Sequence, residues 1–105
     1  MSSTVAKVFL DDNKIGVWSE GTGDHKYKVI IYDNLDDYYQ GKVWKTVQFG
    51  AKGYQQYQDN TPLKLYSADD HLDESRRQNY QARHGAQGYQ ERKYTPAWFS
   101  WYFLW

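Results

Sequence analysis

Tyr27-Lys28-Val29-Ile30-Ile31-Tyr32 places Tyr27, Val29 and Ile31 on one side of an extended chain and Lys28, Ile30 and Tyr32 on the other. Side chains alternate across a strand with a period of two, so a segment apolar on most of both faces reads as a central strand. Upstream, Gly21-Thr22-Gly23-Asp24 is a loop and Ile15-Gly16-Val17-Trp18 the returning arm of a hairpin. Asp11-Asp12-Asn13-Lys14 is its turn, and residues 5–10 form its first strand. Downstream, Asp33-Asn34-Leu35-Asp36-Asp37 is a turn or a short helical turn, and residues 42–49 alternate as another strand. Gly50 and Gly53 end that strand, and residues 53–59 read as a short helix or a loop.

The main helix is expected over residues 70–84. Asp69 or Asp70 serves as its N-cap, Asp73 and Glu74 sit in the first turn, Arg83 and His84 in the last, and Gly85 follows as the residue past the end. Acids first and bases last complement the helix dipole. Pro96-Ala97-Trp98-Phe99-Ser100-Trp101-Tyr102-Phe103-Leu104-Trp105 then closes the chain as a strand or helix, with Trp98, Trp101 and Leu104 facing inward. The hexamer Gly50-Ala51-Lys52-Gly53-Tyr54-Gln55 is echoed by Gly85-Ala86-Gln87-Gly88-Tyr89-Gln90, either by coincidence or as a shared local turn.

These elements give an α+β fold: a small antiparallel sheet, one main helix and an aromatic C-terminal segment, in a single domain over residues 1–105. Mean hydropathy is −0.97. Aromatic residues make up 19% of the chain and basic and acidic residues balance at 13 each, which argues for a packed core over disorder. Zero net charge argues against generic nucleic-acid coating. The absence of cysteine excludes disulfides and thiolate chemistry. No signal pattern begins the sequence and no apolar run reaches membrane-spanning length.

Chemistry-bearing constellations are few. Arg76, Tyr80, Arg83 and His84 recur at helical spacing on one face. Either they grip phosphate and stack a base, or Tyr80 packs inward while the arginines pair with Asp70 and Asp73. Asp69, Asp70, His71, Asp73 and Glu74 match no calcium loop, and capping explains them; Asp33, Asp36 and Asp37 likewise carry no metal pattern. His25, His71 and His84 stand outside any catalytic motif, so no catalytic residue, metal or cofactor is assigned and the chain is read as a non-enzyme. Six aromatics, Trp98, Phe99, Trp101, Tyr102, Phe103 and Trp105, are too many to face inward together, which makes them the candidate partner-binding set. Arg76, Arg77, Arg83, Arg92 and Lys93 are the candidate phosphate-binding set.

Three ordered blocks also resemble an uncharacterised family of small proteins from large DNA viruses of algae and protists and from some phages. They are Val47-Gln48-Phe49-Gly50-Ala51-Lys52-Gly53-Tyr54, Arg77-Gln78-Asn79-Tyr80-Gln81-Ala82-Arg83-His84 and Ala97-Trp98-Phe99-Ser100-Trp101-Tyr102-Phe103-Leu104-Trp105. The resemblance covers residues 43–105; residues 1–42 lie outside it. This chain departs from the pattern at Gln56, where the family has Asp, and in residues 60–69, which look inserted. The resemblance implies a viral source and a unit formed by Phe49, Gly50, Gly53, Tyr54, Tyr80, Arg83, His84, Trp101 and Trp105. In that unit Arg83 and His84 would lock the aromatic tail onto the Phe49-Gly50 strand end.

The expected function is that of a viral accessory or virion structural protein, of minor capsid or cementing type, docking on virion proteins or on itself in the virion or host cytoplasm. A nucleic-acid-binding module on the Arg/Tyr face ranks behind it, followed by an inhibitor of a host protein.

Overall fold

The computed structural model describes residues 4–10 and 13–105. Four antiparallel strands, β1 (Ala6–Phe9), β2 (Ile15–Glu20), β3 (His25–Tyr32) and β4 (Lys45–Ala51), form one sheet in the order β1-β2-β3-β4. Helix α1 (Leu35–Gln40) joins β3 to β4, and α2 (Glu74–Gly85) and α3 (Pro96–Phe103) follow. The architecture is α+β, with the aromatic segment as the last helix. Among the described residues no helix is long and apolar enough to cross a membrane.

The period-two reading of β3 corresponds to its burial. Tyr27, Val29 and Ile31 are inaccessible, and β3 lies between β2 and β4. The register pairs Trp18 with Val29, Tyr27 with Phe49 and Val29 with Val47, so all of these side chains line one face. Helix α3 seals that face. Phe99 stacks on Phe49 at 5.4 Å, and Trp18 meets Phe99 edge-on at 5.6 Å. Thr95 caps α3 by accepting from the Trp98 amide, and Pro96 opens its first turn, where a missing N–H costs nothing.

The strands differ from expectation at their ends. Asp11 and Asp12 of the first turn lie outside the described residues. β4 begins at Lys45; α1, capped by the Asn34 side chain and ended by Gly41 at φ 71°, precedes it, and residues 42–44 link the two outside any helix or strand. β4 also continues through Gly50, which was expected to break it. Gly50 has φ 75°, and a Cβ there would sit 3.0 Å from the Lys26 Cβ and 3.3 Å from a Leu104 methyl. Glycine is used here for close approach as much as for backbone freedom.

Helix α2 starts at Glu74, later than the sequence reading placed it. Its N-cap is Asp73, whose side chain accepts from the amides of Ser75 and Arg76. Asp69 and Asp70 are unavailable as caps because they tie down the preceding loop, and Leu72 at φ 55° breaks helical continuation. Gly85 is the last helical residue and has no positive φ; it lets the Trp101 ring approach, with ring carbon Cη2 at 3.2 Å from a hypothetical Cβ. The two echoing hexamers share only a positive-φ glycine before a tyrosine, Gly53 at φ 87° and Gly88 at φ 75°; Gly50 lies in β4 and Gly85 in α2.

The chain between β4 and α2 holds a buried polar knot. Asp59, 3% exposed, accepts from the Tyr27 hydroxyl, the Thr61 amide and hydroxyl, and the Tyr66 amide. Gln56, 1% exposed, donates to the Tyr66 carbonyl and to Asp70, and accepts from Lys26. Side chains here replace the backbone ladder that an ordered loop lacks.

Candidate functional site

The aromatic set expected to form a partner surface is divided by the fold. Phe99 is fully buried and Trp98 is 8% exposed, so both belong to the core. The inward trio is therefore Trp98, Phe99 and Leu104, with Trp101 displaced onto α2. A helix of this length rotates its residues around the axis, and only one stripe can face the sheet. Trp105 stacks flat on Tyr80 at 4.4 Å, and Trp101 lies 6.2 Å from the same ring. Tyr102, 51% exposed, is the outward member of the set.

Arginine and histidine roles are redistributed in the same way. The lock on the aromatic tail is made by Arg77, whose Nε donates to the Trp105 carbonyl at 2.8 Å and whose guanidinium lies over the Tyr57 ring. Arg83 donates to His84, and His84 stacks on Tyr89, so neither makes the expected contact with the Phe49-Gly50 strand end. The arginines do not pair with Asp70 or Asp73. Arg76 donates to Gln55, and Arg77 sits 3.5 Å from Glu74. Tyr80 is held half-buried by Trp105 and His84, and burial pushes its phenol above the usual tyrosine range.

The candidate phosphate set does not form one patch. Arg76 and Arg83 line a cleft against Tyr54, with Tyr80 and Trp105 as its floor. Arg77 faces the tail carbonyl, Arg92 lines a separate recess beside Tyr89 and Pro96, and Lys93 lines a third depression.

That third depression is a groove of about 660 Å³. It runs from the end of β1 across to α3, with Val8, Phe9 and Leu10 on one wall and Trp98, Tyr102 and Phe103 on the other. Its rim carries Lys64 and Lys93 and, among the described residues, no carboxylate. Phe9 is 68% exposed on its lip. Among the described residues β1 pairs only with β2, so its other backbone edge has no strand partner there. The reading of residues 5–10 as a short strand located it; nothing local marks it as an edge, because edge position follows from the order of all four strands.

The buried polar knot was also absent from the sequence reading. Lys26 is 1% exposed and donates to the Tyr54 carbonyl at 2.6 Å and to Gln56, with Asp69 at 3.3 Å. Burial and the bond to Asp59 push the Tyr27 phenol above its ordinary range. Each donor and acceptor answers another within the knot, so it is built to order the loop, and Asp59 has no lone pair left for a reacting group. No family model, curated protein or solved structure matches the chain.

Proposed function

We propose that the protein acts by docking, without catalysis, and that its docking face is the groove between β1 and α3. One observation carries this: an exposed aromatic lip, Phe9 and Tyr102, borders a strand edge whose backbone groups lack a neighbour strand among the described residues. Large exposed aromatics beside an apolar recess mark partner sites, and a free edge accepts an extended segment by main-chain hydrogen bonds. The occupant is an extended stretch of another protein, apolar where it meets the groove and hydrogen-bonded along its main chain to the β1 edge. The resemblance of residues 43–105 to small proteins of large DNA viruses supports an accessory or virion component of minor capsid or cementing type as the biological setting.

The test is selection of displayed random peptides on the intact protein, counter-selected on Phe9→Glu. Peptides that discriminate between the two, with amide shifts concentrated at Val8, Phe9, Leu10 and Tyr102, support the reading. Failure to recover any discriminating peptide, or shifts centred elsewhere, overturns it. Sedimentation of the free protein separates a second copy from a foreign partner: self-association abolished by Phe9→Glu makes the occupant this chain's own edge.

A further inference from the structure

We propose that the cleft between the Gly50–Tyr54 turn and α2 binds single-stranded nucleic acid, with Arg76 and Arg83 each on one of two phosphates and a base against Tyr54. This goes beyond the docking groove and uses a different part of the molecule. Arg76 and Arg83 stand seven positions apart on α2, about 10 Å along its axis, so both project from one face. The cleft they line holds about 340 Å³, and an adjoining one of about 270 Å³ reaches Lys26. Among the described residues no Asp or Glu lines either, and neither guanidinium pairs with a carboxylate. In a chain of zero net charge, Arg76 and Arg83 are two neighbouring cations with no carboxylate partner among the described residues, whereas Lys26 is matched by Asp69. The arginine pair is complementary to phosphate.

The remaining surfaces of the cleft suit a base. Tyr54 is 72% exposed at the lip, Gln55 and Asn79 supply amides, and the Tyr80–Trp105 stack forms a rigid floor. Aromatic faces accept any base by stacking. A duplex keeps its bases stacked on each other, and its affinity depends on a broad basic surface that the dispersal of Arg77, Arg92 and Lys93 denies. A single strand needs only the local constellation.

The experiment is fluorescence anisotropy of a short labelled oligothymidylate at low salt, titrated upward, with dTMP and a phosphotyrosine peptide as competitors. The expected result is binding whose log affinity falls with log salt at a slope of about −1.4, corresponding to two phosphate contacts. Arg76→Gln and Arg83→Gln each reduce that slope by about half. Tyr54→Ala weakens binding by about fivefold or more without changing the slope. Arg92→Gln and Phe9→Glu leave binding unchanged. Circular dichroism melts verify that the variants, all at exposed positions, stay folded. Absence of binding at low salt overturns the proposal. So does equal weakening by Arg92→Gln, which would indicate diffuse charge. Competition by dTMP as strong as that of unlabelled oligonucleotide makes the ligand a free nucleotide, and tighter competition by the phosphotyrosine peptide makes it a protein; either result overturns the nucleic-acid assignment.

Discussion

Trp105 lies on Tyr80 with ring centroids 4.4 Å apart and planes 5° from parallel, and this stack fastens α2 to the end of the aromatic segment. Arg77 reinforces it from the next turn by holding the Trp105 carbonyl. Trp101 of α3 adds a second contact, close to Gly85 and 6.2 Å from the Tyr80 ring.

A double-mutant cycle measures that coupling. Tyr80→Ala and Trp105→Ala should each lower unfolding free energy by about 2–3 kcal/mol in urea titrations. The double variant should lose less than their sum by about 1 kcal/mol, the excess stabilisation of an aromatic pair. Strict additivity would mean that the rings only fill space.

The Asp59 knot predicts an asymmetric response. Asp59→Asn keeps the volume and removes acceptor capacity facing the Tyr27 hydroxyl, the Thr61 hydroxyl and two amides. It should destabilise by about 3 kcal/mol, whereas Tyr27→Phe, which deletes one donor to Asp59 and the acceptor of the Leu65 amide, should cost about 1–2 kcal/mol. Equal losses would count against Asp59 as the centre of the network.

His71 makes the fold acid-sensitive. Burial lowers its imidazole below the ordinary 6.5, with Arg76 adding to the shift and Asp73 and Asp70 opposing it. The Asp73 amide donates to Nδ1 at 2.9 Å, which assigns the proton to Nε2, and the rings of Tyr57 and Trp105 flank the group. The folded state therefore resists protonation more than the unfolded chain does. The His71 contribution is fully present above pH 6.5 and is lost as pH falls from there through the lowered folded value. Melting temperature measured across that window should decline in the wild type and flatten in His71→Gln.

Alkali acts through the tyrosines. The Tyr27 and Tyr80 phenols are both raised above 10.0, so their contribution is intact below that pH and is lost as pH climbs past it. Spectroscopic titration should show late, cooperative tyrosinate formation coinciding with unfolding. Tyr27→Phe should reduce the steepness of that loss.

Gly50→Ala tests the crowded crossing of β3, β4 and the aromatic segment. The residue combines φ 75° with a Cβ position 3.0 Å from Lys26 and 3.3 Å from Leu104. A loss of about 2 kcal/mol is expected from backbone strain and displaced neighbours. Gly23→Ala, at φ 60° with open space around it, should lose about 1 kcal/mol.

The residues that announced themselves in the sequence are those whose structure is local. Tyr27 to Tyr32 alternates because one face of β3 meets the core, and the Arg83-His84 end of α2 reads correctly because helix dipoles act within a turn. The start of α2 was misplaced because Asp69, Asp70 and Asp73 are equivalent caps in isolation. Gln56 and Lys26, far away in sequence, recruit the first two elsewhere. The same limit hid the docking groove. Phe9 is an ordinary strand aromatic until strand order makes β1 an edge, and Tyr102 is one ring among many until Phe99 fixes the rotation of α3. Of the candidate partner set, Trp98, Tyr102 and Phe103 line the groove; of the phosphate set, Arg76 and Arg83 share a cleft.

Each strand of the sheet pairs with its neighbour in sequence, whereas the helix that covers it comes last. On the ribosome the meander is complete once residue 51 has emerged, and its face of Trp18, Tyr27 and Phe49 then waits for Phe99. Nascent chains therefore display an uncovered aromatic sheet for roughly two to ten seconds at ordinary synthesis rates. In that interval the exposed rings are open to chaperones and to other nascent chains.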